Sequence, residues 1–242
     1  IDREKEYSIT YTVNSFETFE NINLYPHQGI IEDSPFNKNN VLYTSNEIYP
    51  TQNLVHSRMS LRGYELYGIQ LTPFEYDFLN KELKVYTSVE ISITETGIRS
   101  NVSNIPRSQT FENMYEKFVI NQNDYQDSRD FQQPSILYIM EDYISIIETL
   151  VDWREKQGYA VEVIDRDDIS GSFSTGNIKD YIEDALDDWE NPPEFVCLVG
   201  DANGSLAIPT YTVGGGSGWA GAYGESDYPY SLIEGNDNLP EI

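Results

Sequence analysis

The sequence predicts two folds in tandem, an antiparallel β-rich first part and a parallel α/β second part. Three observations carry this. From Leu83 to Thr94 the residues alternate: Leu83, Val85, Val89, Ile91 and Ile93 share one strand face, and Lys84, Tyr86, Ser88, Glu90 and Ser92 share the other. Ser135 to Met140 is instead a near-continuous apolar run, as expected of a strand buried on both faces. From there strand and helix patterns alternate with short connections, which calls for parallel pairing and right-handed crossovers.

In the first part, Ser8 to Val13 alternates β-formers, and Arg62 to Leu71 reads as another strand ended by Pro73. Asn80-Lys81 fits the turn that enters the Leu83 strand. The polar face of that strand predicts a sheet with one wet side, as in an antiparallel sandwich. Between the two parts Asn, Gln, Ser and Asp dominate. This stretch reads as a linker in which Phe111 to Ile120 docks as a short helix. Arg99, Arg107, Lys117 and Arg129 lie in it, within a protease's reach if it is mobile. The predicted boundaries are 1–97, 98–133 and 134–242.

In the second part, Asp142 is placed to cap a helix after the Ser135 strand, with Ile144, Ile147, Leu150 and Val151 near its inner face. Gly158 is its stop. Tyr159 to Ile164 is the next strand. Ser174 or Thr175 caps a second helix with an inner stripe of Ile178, Tyr181, Ile182, Ala185, Leu186 and Trp189, ended by Pro192-Pro193. Phe195 to Val199 reads as a third buried strand, and Tyr228 to Ile233 as a further one. The chain then reaches a fresh acidic turn with no closing helix, so the α/β domain is expected to be incomplete within these residues.

The chain has 242 residues, enough for two modest cores. Acidic residues number 41 against 15 basic ones, a net charge of −26, which disfavours nucleic acid and anionic membrane as partners. No apolar run approaches the roughly 20 residues of a membrane helix. Ile1 to Tyr7 is charged and does not read as a signal peptide, so one either was removed or never existed. A single cysteine excludes an intrachain disulfide, and two histidines, His27 and His56, exclude a His-rich zinc site. The glycines from Gly214 to Gly221 lack the Lys-Ser/Thr ending of a phosphate loop.

Cys197 stands between Val196 and Leu198 in the third strand and is expected to be core rather than nucleophile. Asp201 follows that strand's C-terminal end, where open α/β sheets place their ligands. It either serves a ligand or caps the turn. Asp237 and Glu241 form a second acidic group in a Gly/Asn/Pro loop, the kind of segment that can wrap a hard cation such as calcium.

Several segments resemble the gingipain-type cysteine peptidases. Trp153-Arg154-Glu155-Lys156-Gln157-Gly158-Tyr159 with Val161-Glu162-Val163 looks like their first helix and second strand. Ile178-Lys179-Asp180-Tyr181-Ile182 with Trp189 follows. Pro193-Glu194-Phe195-Val196-Cys197-Leu198-Val199-Gly200-Asp201 is the most specific piece. Ile208-Pro209, Ser226-Asp227-Tyr228 and Gly235 to Ile242 come next, in the family's order. In the first part Leu61-Arg62-Gly63-Tyr64, Leu71-Thr72-Pro73-Phe74-Glu75-Tyr76 and Leu83-Lys84-Val85-Tyr86 resemble the family's propeptide, although Asp77-Phe78 stands where the family tends to have Asn-Pro.

The resemblance implies a secreted or cell-surface proenzyme. Its β-rich antiparallel propeptide domain would precede a partial caspase/haemoglobinase-like parallel α/β domain. The family's catalytic histidine and cysteine lie downstream of the segment matching Gly235 to Ile242. No catalytic residue carries over, and this chain alone is expected to be inactive. Its partners would be the remainder of the catalytic domain and the parent enzyme's protein or peptide substrates. Calcium would be held by the carboxylates of Asp201, Asp237 and Glu241 and the carbonyls of Glu234 and Leu239. Arg62, Lys81 or a linker basic residue would mimic substrate. The competing reading is a calcium-stabilised surface binding module derived from such a peptidase, its chemistry lost.

Overall fold

A computed structural model describes residues 2–28, 36–100, 102, 104–121, 129–143, 145–214, 224–233 and 239–242. It separates into a β unit, Lys5–Arg58 with Tyr67–Ile98, and an α/β unit, Ile1–Glu4 with Met59–Leu66 and Arg99–Ile242.

The β unit is built on two long strands, β1 (Lys5–Phe19) and β6 (Glu82–Ile98), paired antiparallel with Ile9 opposite Ile93, Tyr11 opposite Ile91 and Val13 opposite Val89. With β2 (Ile48–Tyr49) and β5 (Phe74–Asp77) they form a four-stranded sheet in the order β1-β6-β5-β2. The alternation read from Leu83 to Thr94 is therefore a strand, longer at both ends than the pattern. Its turn is also as expected: Lys81 adopts φ 54°, and the Asp77 carboxylate accepts from the N–H groups of Leu79 and Asn80, both at 2.9 Å.

A second pair, β3 (Leu54–Leu61) and β4 (Tyr64–Leu71), forms a hairpin whose tip, Met59–Leu66, belongs to the α/β unit. The strand read from Arg62 begins two residues later. Arg62 and Gly63 have φ of 47° and 70° and form the two-residue turn itself. Both positive angles suit the right-handed twist of a hairpin.

In the α/β unit, helix α1 (Gln109–Phe118) falls where a docked helix was expected. Its Ser108 cap accepts from Phe111 N–H at 3.2 Å. Phe111 and Tyr115 of α1 pack with Leu61 and Tyr64 of the hairpin tip into one buried cluster. The three strands β7 (Ser135–Met140), β8 (Ala160–Ile164) and β9 (Phe195–Val199) form a parallel sheet in the order β8-β7-β9. Every residue of β7 is buried, as its unbroken apolar run requires. One face, with Ile136, Tyr138 and Met140, packs with Ile147 and, through Val151, with α2 (Glu148–Lys156). The other, with Leu137, Ile139 and Ile164, packs on α3 (Thr175–Asp188) through Ile178 and Ile182. Burying Ile182 alone is worth about 2 kcal/mol. Gly158 stops α2 at φ 95°, and Ser174 caps α3.

Four local expectations fail. Asp142 is not the cap of α2: a short 3₁₀ turn, Ser145–Ile147, intervenes, and α2 starts at Glu148 with Ile147 at its N-cap and no side-chain cap. Ile144 lies outside the described residues. Leu150 faces outward, 38% exposed, and the contacts on this face come from Ile147 and Val151 instead. Tyr228–Tyr230 is a 3₁₀ turn rather than a strand, since Pro229 at its start has no N–H for a ladder. Finally, β9 is not buried on both faces: Phe195 is 40% exposed and Cys197 is exposed. β9 stands at the edge of the sheet, a position its sequence does not encode.

Candidate functional site

The order β8-β7-β9 places a topological switch between β7 and β9, because the chain first steps to one side of β7 and then to the other. Open α/β sheets bind ligands outside the carboxyl ends of the strands at such a point. There β9 ends in Gly200-Asp201. A cleft of about 260 Å³ opens beside it, lined by Leu198, Gly200, Asp201, Thr210, Glu225 and Asp227 among others. A second, of about 440 Å³, is lined by Glu141, which follows β7, by Arg166, which follows β8, and by the loop from Ala202 to Pro209.

Gly200 is required here by space. A Cβ on it would stand 2.3 Å from the Leu206 carbonyl oxygen and 2.8 Å from Ile208 Cγ1. This contact lets the loop double back, so that Ile208 N–H donates to the Asp201 carbonyl at 2.9 Å. Asp201 is exposed, and its Oδ1 accepts from Ala202 N–H at 2.7 Å. The carboxylates that line the cleft with it are Glu225, in strand β11 (Gly224–Ser226), and Asp227 just after it. β11 pairs with β10 (Tyr211–Val213). Sequence reading did not join Glu225 or Asp227 to Asp201, because only that hairpin brings them back to β9.

The other predicted calcium ligands are Glu234, Asp237, Leu239 and Glu241. Glu234 and Asp237 lie outside the described residues. The Leu239 side chain packs against the cluster of Leu61, Tyr64, Phe111 and Tyr115. Glu241 is completely buried; its carboxylate accepts from Ile233 N–H at 2.9 Å, and its carbonyl from Arg62 at 3.0 Å. Arg62 Nη1 also reaches the Pro193 carbonyl at 2.9 Å, so the Glu241 carbonyl sits level with the entry to β9, whereas Asp201 sits past its exit. The strand between them, Phe195–Val199, spans about 13 Å. Among the described residues no three acidic, histidine or cysteine side chains are grouped to hold a metal ion.

Cys197 faces the same side of the sheet as Ile136, Tyr138 and Met140, opposite Tyr138 in the register. Partial burial raises its thiol above the ordinary value, and the Arg154 guanidinium offsets part of that rise. His27 and His56 belong to the β unit. A thiol pushed up, with no imidazole in its own unit, is a poor nucleophile.

The largest fully buried side chain is Arg62, 1% exposed at the hairpin tip. Nη1 donates to the carbonyls of Pro193 and Glu241, at 2.9 and 3.0 Å. Nη2 donates to Gln132 Oε1 at 2.7 Å and to the Pro192 carbonyl at 3.4 Å. The guanidinium carbon lies 5.2 Å from the centre of the Phe111 ring. Nearby, Glu112 Oε1 accepts from Arg107 Nε at 2.9 Å and from the Tyr64 hydroxyl. Arg129 stacks 4.8 Å from the Tyr64 ring centre and donates to the Ile105 carbonyl at 2.5 Å. Lys81, by contrast, is exposed in its turn.

Comparison with known proteins adds two adjoining matches. The C25 propeptide model covers residues 1–129, and the model of peptidase family C25 covers residues 129–242. Gingipain R1 of Porphyromonas gingivalis is 23% identical over 98% of this chain and 24% of its own length. Lys-gingipain HG66 of the same organism is 24% identical over 97% of this chain and 14% of its own. The complex of the Porphyromonas gingivalis RgpB pro- and mature domains aligns with a TM-score of 0.42 at 17% identity, over 52% of this chain and 67% of that one. The chain spans a quarter or less of the length of these curated relatives. Among the described residues no helix is long and apolar enough to cross a membrane.

Proposed function

The chain belongs to peptidase family C25, and on that premise we propose that it is the propeptide and the opening of the catalytic domain of a secreted, gingipain-like cysteine endopeptidase zymogen, inactive by itself. The observation that carries this reading is the tandem match, propeptide then peptidase, meeting at Arg129. The chemistry of the described residues is in keeping with it: the chain's one thiol is held in a setting that disfavours the thiolate. The α/β unit is read as the start of a caspase/haemoglobinase-like domain, supported by a parallel sheet with helices on both faces and by the exposed Phe195 on the edge strand β9. A peptidyl electrophile directed at thiol nucleophiles, incubated with the intact chain, should leave Cys197 unlabelled and release no peptide product. Rapid stoichiometric labelling with peptide cleavage would overturn the reading.

Calcium belongs to the same proposal, with Asp201 as its described ligand. Asp201 fits: it is an exposed hard-oxygen donor at the strand end, and Glu225 and Asp227 line the same cleft. Glu241 is buried, its Oε2 accepting from Ile233 N–H and its carbonyl from Arg62, so Asp201 is the ligand on which this proposal rests. Bound there, calcium would tie β9 to the loop that follows. Calorimetry should show calcium binding that disappears in Asp201→Ala plus Asp237→Ala and persists in Glu241→Gln. No heat with the unaltered chain would remove the calcium proposal and leave the family assignment standing.

A further inference from the structure

The turn at Arg62 is oddly composed for a hairpin. A two-residue turn with both φ positive favours Asn-Gly or Asp-Gly, and an arginine there strains the backbone. It is also buried almost completely, in a position where turn residues ordinarily face water. Something offsets both costs, and the acceptors around the guanidinium identify it.

The guanidinium's acceptors include three backbone carbonyls, of Pro192, Pro193 and Glu241, and Gln132 Oε1. The wall is held in place by bonds that do not involve Arg62. Gln132 Nε2 donates to Ser135 Oγ at 3.1 Å and to the Pro192 carbonyl at 2.8 Å, which turns Oε1 toward the guanidinium. Ser135 Oγ donates to the same Pro192 carbonyl at 2.7 Å, and Glu194 N–H donates back to Ser135 Oγ at 3.0 Å. Both prolines have fixed φ. The Glu241 backbone is fastened by its own N–H to the Ser231 carbonyl at 3.0 Å. All these groups come from residues 132–241, the part matched by the peptidase model, and the arginine comes from the part matched by the propeptide model.

We propose that residues 132–241 build a preorganised receptor for an arginine side chain at the N-terminal end of β9, and that Arg62 occupies it as the principal tie holding the propeptide part to the peptidase part. The tie outlasts a cut in the backbone between them. The proposal rests on the zymogen reading only for the biological occasion of that cut, since the pocket and its occupant stand on geometry. The chemistry selects arginine over lysine. Two nitrogens in a planar fork serve two sets of acceptors on different segments, which the single nitrogen of an ammonium cannot reach together. The stacking face on Phe111 adds to the same preference. Around it, contacts such as Thr110 Oγ1 to Glu194 Oε2 at 3.3 Å close the rim. A desolvated arginine inside a ring of weaker contacts is the usual form of an interface hot spot.

The test uses the whole chain with a recognition site for a specific protease inserted after Ile120, which is fully exposed. After cutting, dissociation of fragment 1–120 from the remainder is followed by surface plasmon resonance. The unaltered pair should remain associated. Arg62→Ala and Arg62→Lys should each weaken it, the alanine variant by roughly 100-fold or more. Thr110→Ala should change it by less than about threefold. Millimolar methylguanidinium should partly restore the pairing of the Arg62→Ala fragments, and methylammonium should not. That rescue separates a vacated pocket from a misfolded variant, as does an unchanged far-ultraviolet circular dichroism spectrum before cutting. Dissociation of Arg62→Ala and Arg62→Lys within threefold of the unaltered pair, or equal rescue by both cations, would overturn the proposal. Neither result bears on Cys197 labelling, which tests the zymogen reading separately.

Discussion

Substituting Gly200 with alanine should destabilise the α/β unit by about 2–3 kcal/mol, and the structure supplies each part of that figure. The added Cβ would lie 2.3 Å from a backbone oxygen, about 1 Å inside ordinary contact, so the Leu206 carbonyl must retreat. Forcing a methyl group into such a space costs about 1–3 kcal/mol. The retreat also strains the return of the loop, where Ile208 N–H meets the Asp201 carbonyl at 2.9 Å, a bond worth about 1 kcal/mol. Against this, alanine restricts the unfolded chain and returns about 0.4–1 kcal/mol. For a chain of this size the net loss lowers Tm by about 5–10 °C in differential scanning calorimetry. Two further glycines serve as controls. Gly176, in the first turn of α3, has open space and no positive φ, so Gly176→Ala should be neutral or stabilising by up to about 0.5 kcal/mol. Gly158 also has open space but φ of 95°, so Gly158→Ala should cost about 1 kcal/mol through the backbone alone. A Gly200→Ala chain melting within 1 °C of the unaltered protein would refute the close-approach argument.

Other outcomes follow from the same geometry. In the β unit, Glu75 accepts from the Tyr86 hydroxyl at 2.6 Å and from Lys84 at 3.2 Å, and these bonds hold its carboxyl below the ordinary value of 4.5. A depressed carboxyl contributes stability that is present above about pH 4.5 and is lost as pH falls through its folded value. Glu75→Gln should therefore flatten the acid limb of a urea-midpoint profile; an unchanged slope would show that the bond to Tyr86 does not matter. Cys197 should react slowly with iodoacetamide at pH 7, and the rate should still be rising above pH 9, its ordinary value. Arg154→Ala should push that profile further up; a downward move would contradict the assigned role of the guanidinium. Ile182→Ala, at a fully buried position on α3, should cost about 2–5 kcal/mol by denaturant unfolding, and a loss below 1 kcal/mol would mean the core closes over the gap.

The elements most legible in the sequence are those whose signal is local and repeated. The unbroken run of β7, the stripe of α3 and the alternation of β6 each depend on periodicity within a dozen or so residues. Caps depend on single residues, and there the reading divided: Ser174 caps its helix, while Asp142 stands before a 3₁₀ turn that delays α2. Sheet order is invisible locally. Phe195 and Cys197 look like core because β9 has a core pattern, yet β9 lies at an edge. The candidate site shows the same division. Asp201 is a candidate from the sequence because strand ends attract ligands, whereas Glu225 and Asp227 join its cleft only through the β10–β11 pairing. Arg62 reads as strand in the sequence because Arg-Gly is a weak turn signal and its partners lie far along the chain.

That distance sets an order of events. Arg62 bonds to residues 131 and 179 positions away, whereas the strands and helices of the sheet connect within a few tens of residues. Contacts that close short loops form earlier, and contacts that span most of a chain wait for the rest. During synthesis the hairpin tip can pack on α1 early, but the wall around the Arg62 guanidinium is complete only after Glu241 has cleared the ribosome. Arg62 then enters a wall that β7, β9 and their flanking prolines have already assembled. Its burial is thus a late checkpoint, closing only when the hairpin tip and the segment around Glu241 have both folded.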